Sequence, residues 1–158
     1  MFEPGEYVVC PGDGVGQLLN IEERDLGGQL KSFYSVKIIE NGMKMMIPTD
    51  SKDGIRPLVS KEEVGEVFDL LSDHDVEPDT STWNRRYREY VDKIKTGSLL
   101  EIADVLRSLL LLKHTKTLSF SEKKILDQCK ALLVEEIALS QGRSTNQVDS
   151  TIESYFAS

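Results

Sequence analysis

Two hydrophobic rhythms divide the chain. Up to about residue 50, apolar residues come in short β-prone runs broken by Gly, Pro, Asp and Asn; beyond about residue 60 they recur three and four positions apart. The first rhythm predicts a strand over Tyr7-Val8-Val9-Cys10, a turn over Pro11-Gly12-Asp13-Gly14 and an extended run from Val15 to Glu22. After a turn at Gly27-Gly28, runs from Phe33 to Glu40 and from Met43 to Ile47 flank Asn41-Gly42. That dipeptide predicts a two-residue type I′ turn, whose central residues both need positive φ. Four or five short antiparallel strands in about 50 residues predict a small, partly open barrel.

From Pro48 to Ser60 the sequence turns to Thr, Asp, Ser, Gly and Pro, and a boundary near Leu58 to Ser60 is expected to separate domains 1–59 and 60–158. Ser60 with Glu63, Ser98 with Glu101 and Ser119 with Glu122 predict helix starts, each hydroxyl accepting the N3 amide while the carboxylate reaches back. Each cap is worth roughly 0.5–2 kcal/mol. Five helices are expected, over about 60–71, 82–95, 98–113, 119–140 and 145–156. Val64, Val67, Phe68 and Leu71 form the first stripe, and Val148, Ile152, Tyr155 and Phe156 the last. The acidic segment Ser72 to Ser81 has neither a Gly at a bend nor a closing bidentate Glu, so it reads as a solvated connection rather than a calcium loop. The second domain is expected to be a helical bundle, and the chain an α+β protein in two parts.

Composition narrows the chemistry. The 158 residues, 39% hydrophobic and 29% charged, suit one ordinary domain or two small ones. No apolar run nears the ~20 residues of a membrane span. The start Met1-Phe2-Glu3-Pro4-Gly5 lacks the parts of a signal peptide, so a cytoplasmic protein is expected. Cys10 and Cys129 form no CxxC, and His74 and His114 have no metal-ligand spacing, so no disulfide, metal site or catalytic constellation is expected. Gly12, Gly14 and Gly16 lack the following helix that a phosphate loop requires, and serve a turn. Neither a cofactor, a small-molecule substrate nor an enzyme activity is expected.

Charge changes the picture more. The net charge of -8 breaks into -3 over 1–59, -7 over 60–82, +5 over 83–130 and -3 over 131–158. A basic block inside an acidic protein points to a local polyanion contact, because phosphate neutralisation needs clustered Lys and Arg. At its head stands Ser81-Thr82-Trp83-Asn84-Arg85-Arg86-Tyr87-Arg88, with the only tryptophan beside three arginines. Trp83, Tyr87, Tyr90, Val91 and Ile94 share one helical face, so the indole can head a stripe packed on the core. It can also stand at the helix start as an apolar wedge against unstacked bases, with the arginines on phosphates. In the first domain any open sheet edge offers N–H and C=O groups to another strand, and Met43, Met45 and Met46 put a methionine on each face.

Gly5-Glu6-Tyr7-Val8-Val9-Cys10-Pro11, Gly14-Val15-Gly16, Ile47-Pro48, Gly54-Ile55-Arg56-Pro57 and Trp83-Asn84-Arg85-Arg86-Tyr87 are followed by the runs Gly97 to Arg107, Leu118 to Lys124 and Leu132 to Ala138. Over nearly the whole chain this order resembles the CarD/CdnL family of bacterial transcription regulators. The resemblance implies an N-terminal Tudor-like, SH3-like barrel that binds the RNA polymerase β subunit, and a helical domain that touches promoter DNA at the upstream edge of the transcription bubble. It puts Trp83 where the family has a DNA-wedging tryptophan, with Arg85, Arg86 and Arg88 on the backbone; Lys93, Lys123, Lys124 and Lys130 of the basic block are expected as further DNA contacts. Arg24, Met46 and Pro48 match the polymerase-contacting strand surface; Met46 stands where some members have arginine and others methionine. Cys10, Asp13 and Glu135 depart from the Tyr, His and Gly common in the family, at turn and packing positions. The implied protein is a monomer, weak on free DNA, that reaches the nucleoid through polymerase. Tethering raises the local concentration of its DNA-contacting domain, and an inserted ring opposes bubble closure. On the residues alone, the alternative is a protein-only adaptor with a buried Trp83 and a basic face for an acidic protein.

Overall fold

Five strands, β1 (Tyr7–Cys10), β2 (Gly14–Leu26), β3 (Gln29–Ile38), β4 (Lys44–Pro48) and β5 (Arg56–Pro57), form one antiparallel sheet in the order β4, β3, β2, β1, β5. The computed structural model describes residues 2–51, 54–76 and 81–157, and the chain divides into two compact units, Met1–Leu58 and Val59–Ser158. Asp53 of the turn segment and Glu77 and Asp79 of the acidic connection lie outside the described residues. The period of two gives the first unit its core: Val8 and Cys10, Leu18, and Tyr34, Val36 and Ile38 point inward, with Phe2, Met45, Ile47 and Ile55 packed against them. A register shift between Leu18 and Asn20 is a bulge that turns Leu19 out to 42% exposure. Gly16 lies in β2, not in a phosphate loop; a Cβ there would stand 2.4 Å from Val36 Cγ1.

The turns differ from expectation. Asn41-Gly42 is not a two-residue type I′ turn, because no described residue other than glycine has positive φ. Instead Ile38 N–H donates to Met43 C=O and Gly42 N–H to Ile38 C=O, both at 2.8 Å, leaving residues 39–42 as a longer loop. Asn41 stays at negative φ because its side-chain oxygen finds a local donor, the Met43 N–H at 2.9 Å. The two-residue turn with both φ positive is Gly27-Gly28, at 63° and 92°. It closes β2 on β3 far beyond the small core, so β2 runs past the expected Glu22 and β3 starts before the expected Phe33, on ladder bonds rather than burial, while β3 stops at Ile38, short of the expected Glu40. Strand β5 was not expected: two residues on β1, with Pro57 tolerated at a sheet edge.

The second unit is built from α1 (Lys61–Ser72), α2 (Trp83–Lys95), α3 (Leu99–Lys113), α4 (Phe120–Gln141) and α5 (Thr145–Ser154). The Ser60 and Ser98 hydroxyls accept from the N3 amides as expected, but the return bonds from Glu63 and Glu101 do not form, the Ser98 N–H donating to the Thr96 hydroxyl at 3.1 Å instead; only Ser119 with Glu122 closes the expected reciprocal box. Ser144 with Gln147 closes another, which explains the start of α5. Helix α3 is buried almost all round, through Ile102, Ala103, Val105, Leu106, Leu109 and Leu110; α1, α2 and α4 pack against it, and α5 packs on α4. Val59 belongs to this unit: its N–H donates to buried Glu136 at 2.8 Å and its C=O accepts from the Ser140 hydroxyl at 2.7 Å. Arg107 donates to the Leu70 and Asp73 carbonyls at 3.2 and 3.3 Å and to Asp104 at 2.7 Å, adding to the Asp73 N–H that already caps Leu70 at the end of α1.

Candidate partner face and nucleic-acid interface

Strand register brings Arg24, Met46 and Pro48 to one side of the sheet. Arg24 lies opposite Lys31, Glu22 opposite Phe33, Phe33 opposite Pro48, and Ser35 between Asn20 and Met46. Opposed residues and alternate residues share a face, so all three project away from the side that Tyr34, Val36, Met45 and Ile47 give to the core. Glu22 sits among them, 3.1 Å from Arg24 and 3.7 Å from Lys44, and the Arg24 side chain is 59% exposed. Strand β4 ends the sheet on this side. Bonds from Ile38 N–H to Met43 C=O and from Thr49 N–H to Ser32 C=O set the ladder phase, so Met43, Met45, Ile47 and Thr49 bond to β3. The N–H and C=O groups of Lys44 and Met46 therefore point outward, and Pro48, with no N–H, closes the row of donors.

The start of α2 carries the other candidate site. Trp83 is its first residue and is half-buried: it packs on the edge of the helical core, with ring centroids 5.6 Å from Tyr87 and 6.4 Å from Tyr90. Neither a pure core position nor a free wedge describes it. Thr82 makes no side-chain cap bond and the first turn holds no acid, so the positive end of the helix dipole adds to the arginines instead of being neutralised. Arg85 is exposed, with Glu89 3.6 Å away, and Arg88 is exposed. Arg86 differs. Its side chain is 12% exposed, its Nη1 lies 3.4 Å from Glu122 Oε2 on α4, and its guanidinium carbon stands 5.3 Å from the centre of the Trp83 ring.

The expected lysines divide as well. Lys93 is paired with Asp104, and Lys130 with Asp149 at 2.9 Å and with Glu153. Lys123 and Lys124 are exposed and form no ion pair among the described residues. Beside them Phe120, the first residue of α4, is 82% exposed; sequence reasoning passed over it, although it lies out of phase with the Ile125, Leu126, Cys129 and Leu133 stripe. An open cleft of about 650 Å³ between α3 and α4 is lined by Lys113, His114, Lys116 and Lys123, with Asp127 at its side. Of the expected groups, Trp83, Arg85 and Arg88 on α2 and Lys123 and Lys124 on α4 thus remain available, with Phe120 beside them.

Glu122 organises this region. Burial pushes its carboxyl up, but the Ser119 N–H at 2.8 Å and the Lys116 ammonium at 3.0 Å outweigh that and hold it down at about 2. Asp104 follows the same pattern: burial opposes ionisation, while Lys93 and Arg107 hold it below the usual carboxylate range. Burial, helped by Asp13, pushes Cys10 up to about 11, and burial pushes Cys129 up to about 12, so both thiols stay protonated and unreactive. Among the described residues no group of His, Cys, Asp and Glu could hold a metal ion, and no helix is long and apolar enough to cross a membrane.

Comparison with known proteins adds to this geometry. The family model described as CarD, C-terminal domain matches residues 66–153, and the one described as CarD-like/TRCF RID domain matches residues 2–59. YdeB of Bacillus subtilis, a candidate transcription factor, is 32% identical over 152 residues, covering 95% of this chain and 99% of that protein. The solved structure of CdnLNt from Myxococcus xanthus is 41% identical and covers 39% of this chain and 89% of its own, with a TM-score of 0.34.

Proposed function

The chain belongs to the CarD/CdnL family of transcription factors, which are not enzymes, and on that premise we propose how its two parts act at a promoter. Residues 1–59 bind the RNA polymerase β subunit through the Arg24, Met46 and Pro48 face, a strand of the partner adding to the outward edge of β4. Residues 60–158 contact the upstream edge of the transcription bubble, where Trp83 meets bases already unstacked and Arg85, Arg88, Lys123 and Lys124 meet phosphates. Arg86, Lys93 and Lys130 drop out of the phosphate-contacting set, because they are partly buried and paired with Glu122, with Asp104, and with Asp149 and Glu153, whereas the pair with Glu89 leaves Arg85 74% exposed.

The observation that carries this reading is the start of α2: an incompletely buried indole flanked by two exposed arginines, on a helix end without acids, in a chain of net charge -8. A protein so acidic is repelled by bulk DNA and gains its contact only when another surface holds it there. Polymerase supplies both the tether and the opened base pairs, so the ring inserts without meeting the full cost of unstacking. Two full-length variants test the division of labour. Arg24→Glu should lose polymerase in a pull-down, while Trp83→Ala should keep polymerase and shorten open-complex lifetime. If Trp83→Ala lost polymerase and Arg24→Glu kept it, the assignment would be reversed.

A further inference from the structure

We propose that Arg86 and Glu122 form an internal clamp that sets the orientation of Trp83, making Glu122 a positioning residue for a DNA contact in which it takes no direct part; this inference rests on the wedge role proposed above. The guanidinium lies between a carboxylate and a ring: Nη1 is 3.4 Å from Glu122 Oε2, and the central carbon is 5.3 Å from the indole centroid. The carboxylate is itself fixed. Its Oε1 accepts the Ser119 N–H at 2.8 Å and lies 3.0 Å from Lys116, its own backbone N–H donates to the Ser119 hydroxyl at 3.2 Å, and its side chain is 1% exposed. Among the described residues the buried Arg86 Nε has no acceptor, so the guanidinium is held by its Nη1 contact with the carboxylate and by the ring rather than by a full set of hydrogen bonds.

This arrangement suits preorganisation. A ring held in one orientation before it meets DNA loses less rotamer freedom on contact than a free one. The anchor comes from α4 rather than α2, so the indole is referenced to the rigid start of another helix, where the capping box and the clamp share the same carboxylate. Arg85 and Arg88 remain outward for phosphates, while the arginine between them is given over to the ring.

Glu122→Gln in the full-length protein tests the clamp. Glutamine at N3 keeps the cap, as Gln147 does for Ser144 in α5, so the helix start survives while the charge facing Arg86 is lost. Trp83 is the only tryptophan, so its emission reports the clamp directly. Acrylamide quenching of the free protein should rise, its fluorescence anisotropy should fall, and the open-complex half-life should shorten about threefold, a factor at the weak end of what a cation–π contact supplies. Arg86→Lys, which keeps the charge but loses the planar stack, should behave alike. In a Trp83→Ala background, Glu122→Gln should leave complex decay unchanged. Unaltered quenching and anisotropy in both variants would overturn the clamp, and so would equal shortening of the half-life with and without Trp83, which assigns Glu122 to fold stability alone. If Trp83→Ala itself left decay unchanged, the wedge reading and the functional half of the inference would fall, while a fluorescence change in Glu122→Gln would still establish the clamp.

Discussion

Replacing Trp83 by alanine separates packing from contact, because one part of the indole lies on the core and another in solvent. Truncating a fully buried tryptophan costs about 3–5 kcal/mol. A half-buried ring that meets Tyr87 at 5.6 Å and Tyr90 at 6.4 Å should forfeit about half of that, roughly 2 kcal/mol. For a unit of this size each kcal/mol is worth about 4–8 °C, so the helical unit should melt roughly 10 °C lower. Below that transition the variant stays folded, and open-complex decay then reports the contact alone. A base-stacking contact of about 1–3 kcal/mol predicts decay about 5- to 150-fold faster in a competitor challenge. Thermal denaturation followed by circular dichroism and decay assays on one preparation read both quantities. A much larger loss of stability with decay unchanged for the folded fraction would return Trp83 to the stripe with Tyr87, Tyr90, Val91 and Ile94 and refute the wedge.

Arg24→Glu reverses a charge on an exposed side chain of the β4 face, so it should weaken polymerase binding on the order of tenfold and leave the melting curve of the first unit in place. Undiminished binding in a surface-plasmon titration would remove that face from the interface. On free duplex, with Arg85, Arg88, Lys123 and Lys124 as the available cations, the affinity should be low and its log-log salt slope about -3 to -4. Tight binding at physiological salt without polymerase would count against the tether. Glu122 gives a pH dependence: its carboxyl lies at about 2 when folded against an ordinary 4.5. Because the folded value is the lower one, the stabilisation is complete above about pH 4.5 and is lost as the pH falls from there towards 2. With allowance for screening it amounts to about 1–2 kcal/mol. Denaturant titrations across that window should show Glu122→Gln with a flatter acid limb, and an unchanged limb would contradict the ionised role of the group.

What the amino-acid sequence determined by itself was local. Helix starts were readable at Ser60, Ser98 and Ser119 because a cap involves only residues three apart, and the strands of the first unit were readable because Val8, Cys10, Tyr34, Val36 and Ile38 keep a period of two. The cluster of Trp83 with its arginines and the basic block also follow from neighbours in sequence, whereas Arg24, Met46 and Pro48 were grouped only by the family resemblance, and their common face follows from the strand register. Tertiary structure decided which of those groups remain available. Arg86 and Glu122 are 36 residues apart, Lys93 and Asp104 are 11, and Lys130 and Glu153 are 23, so each pairing depends on which helices come side by side, and no local pattern records that. The same cause hid Phe120, whose exposure is fixed by the face that α4 turns to the core, and β5, whose two residues are a strand only because β1 lies beside them. The loop at Asn41 went the other way: a side-chain oxygen with a donor in reach held negative φ, and the turn that needed two positive φ values formed at Gly27-Gly28, where no side chain opposes it.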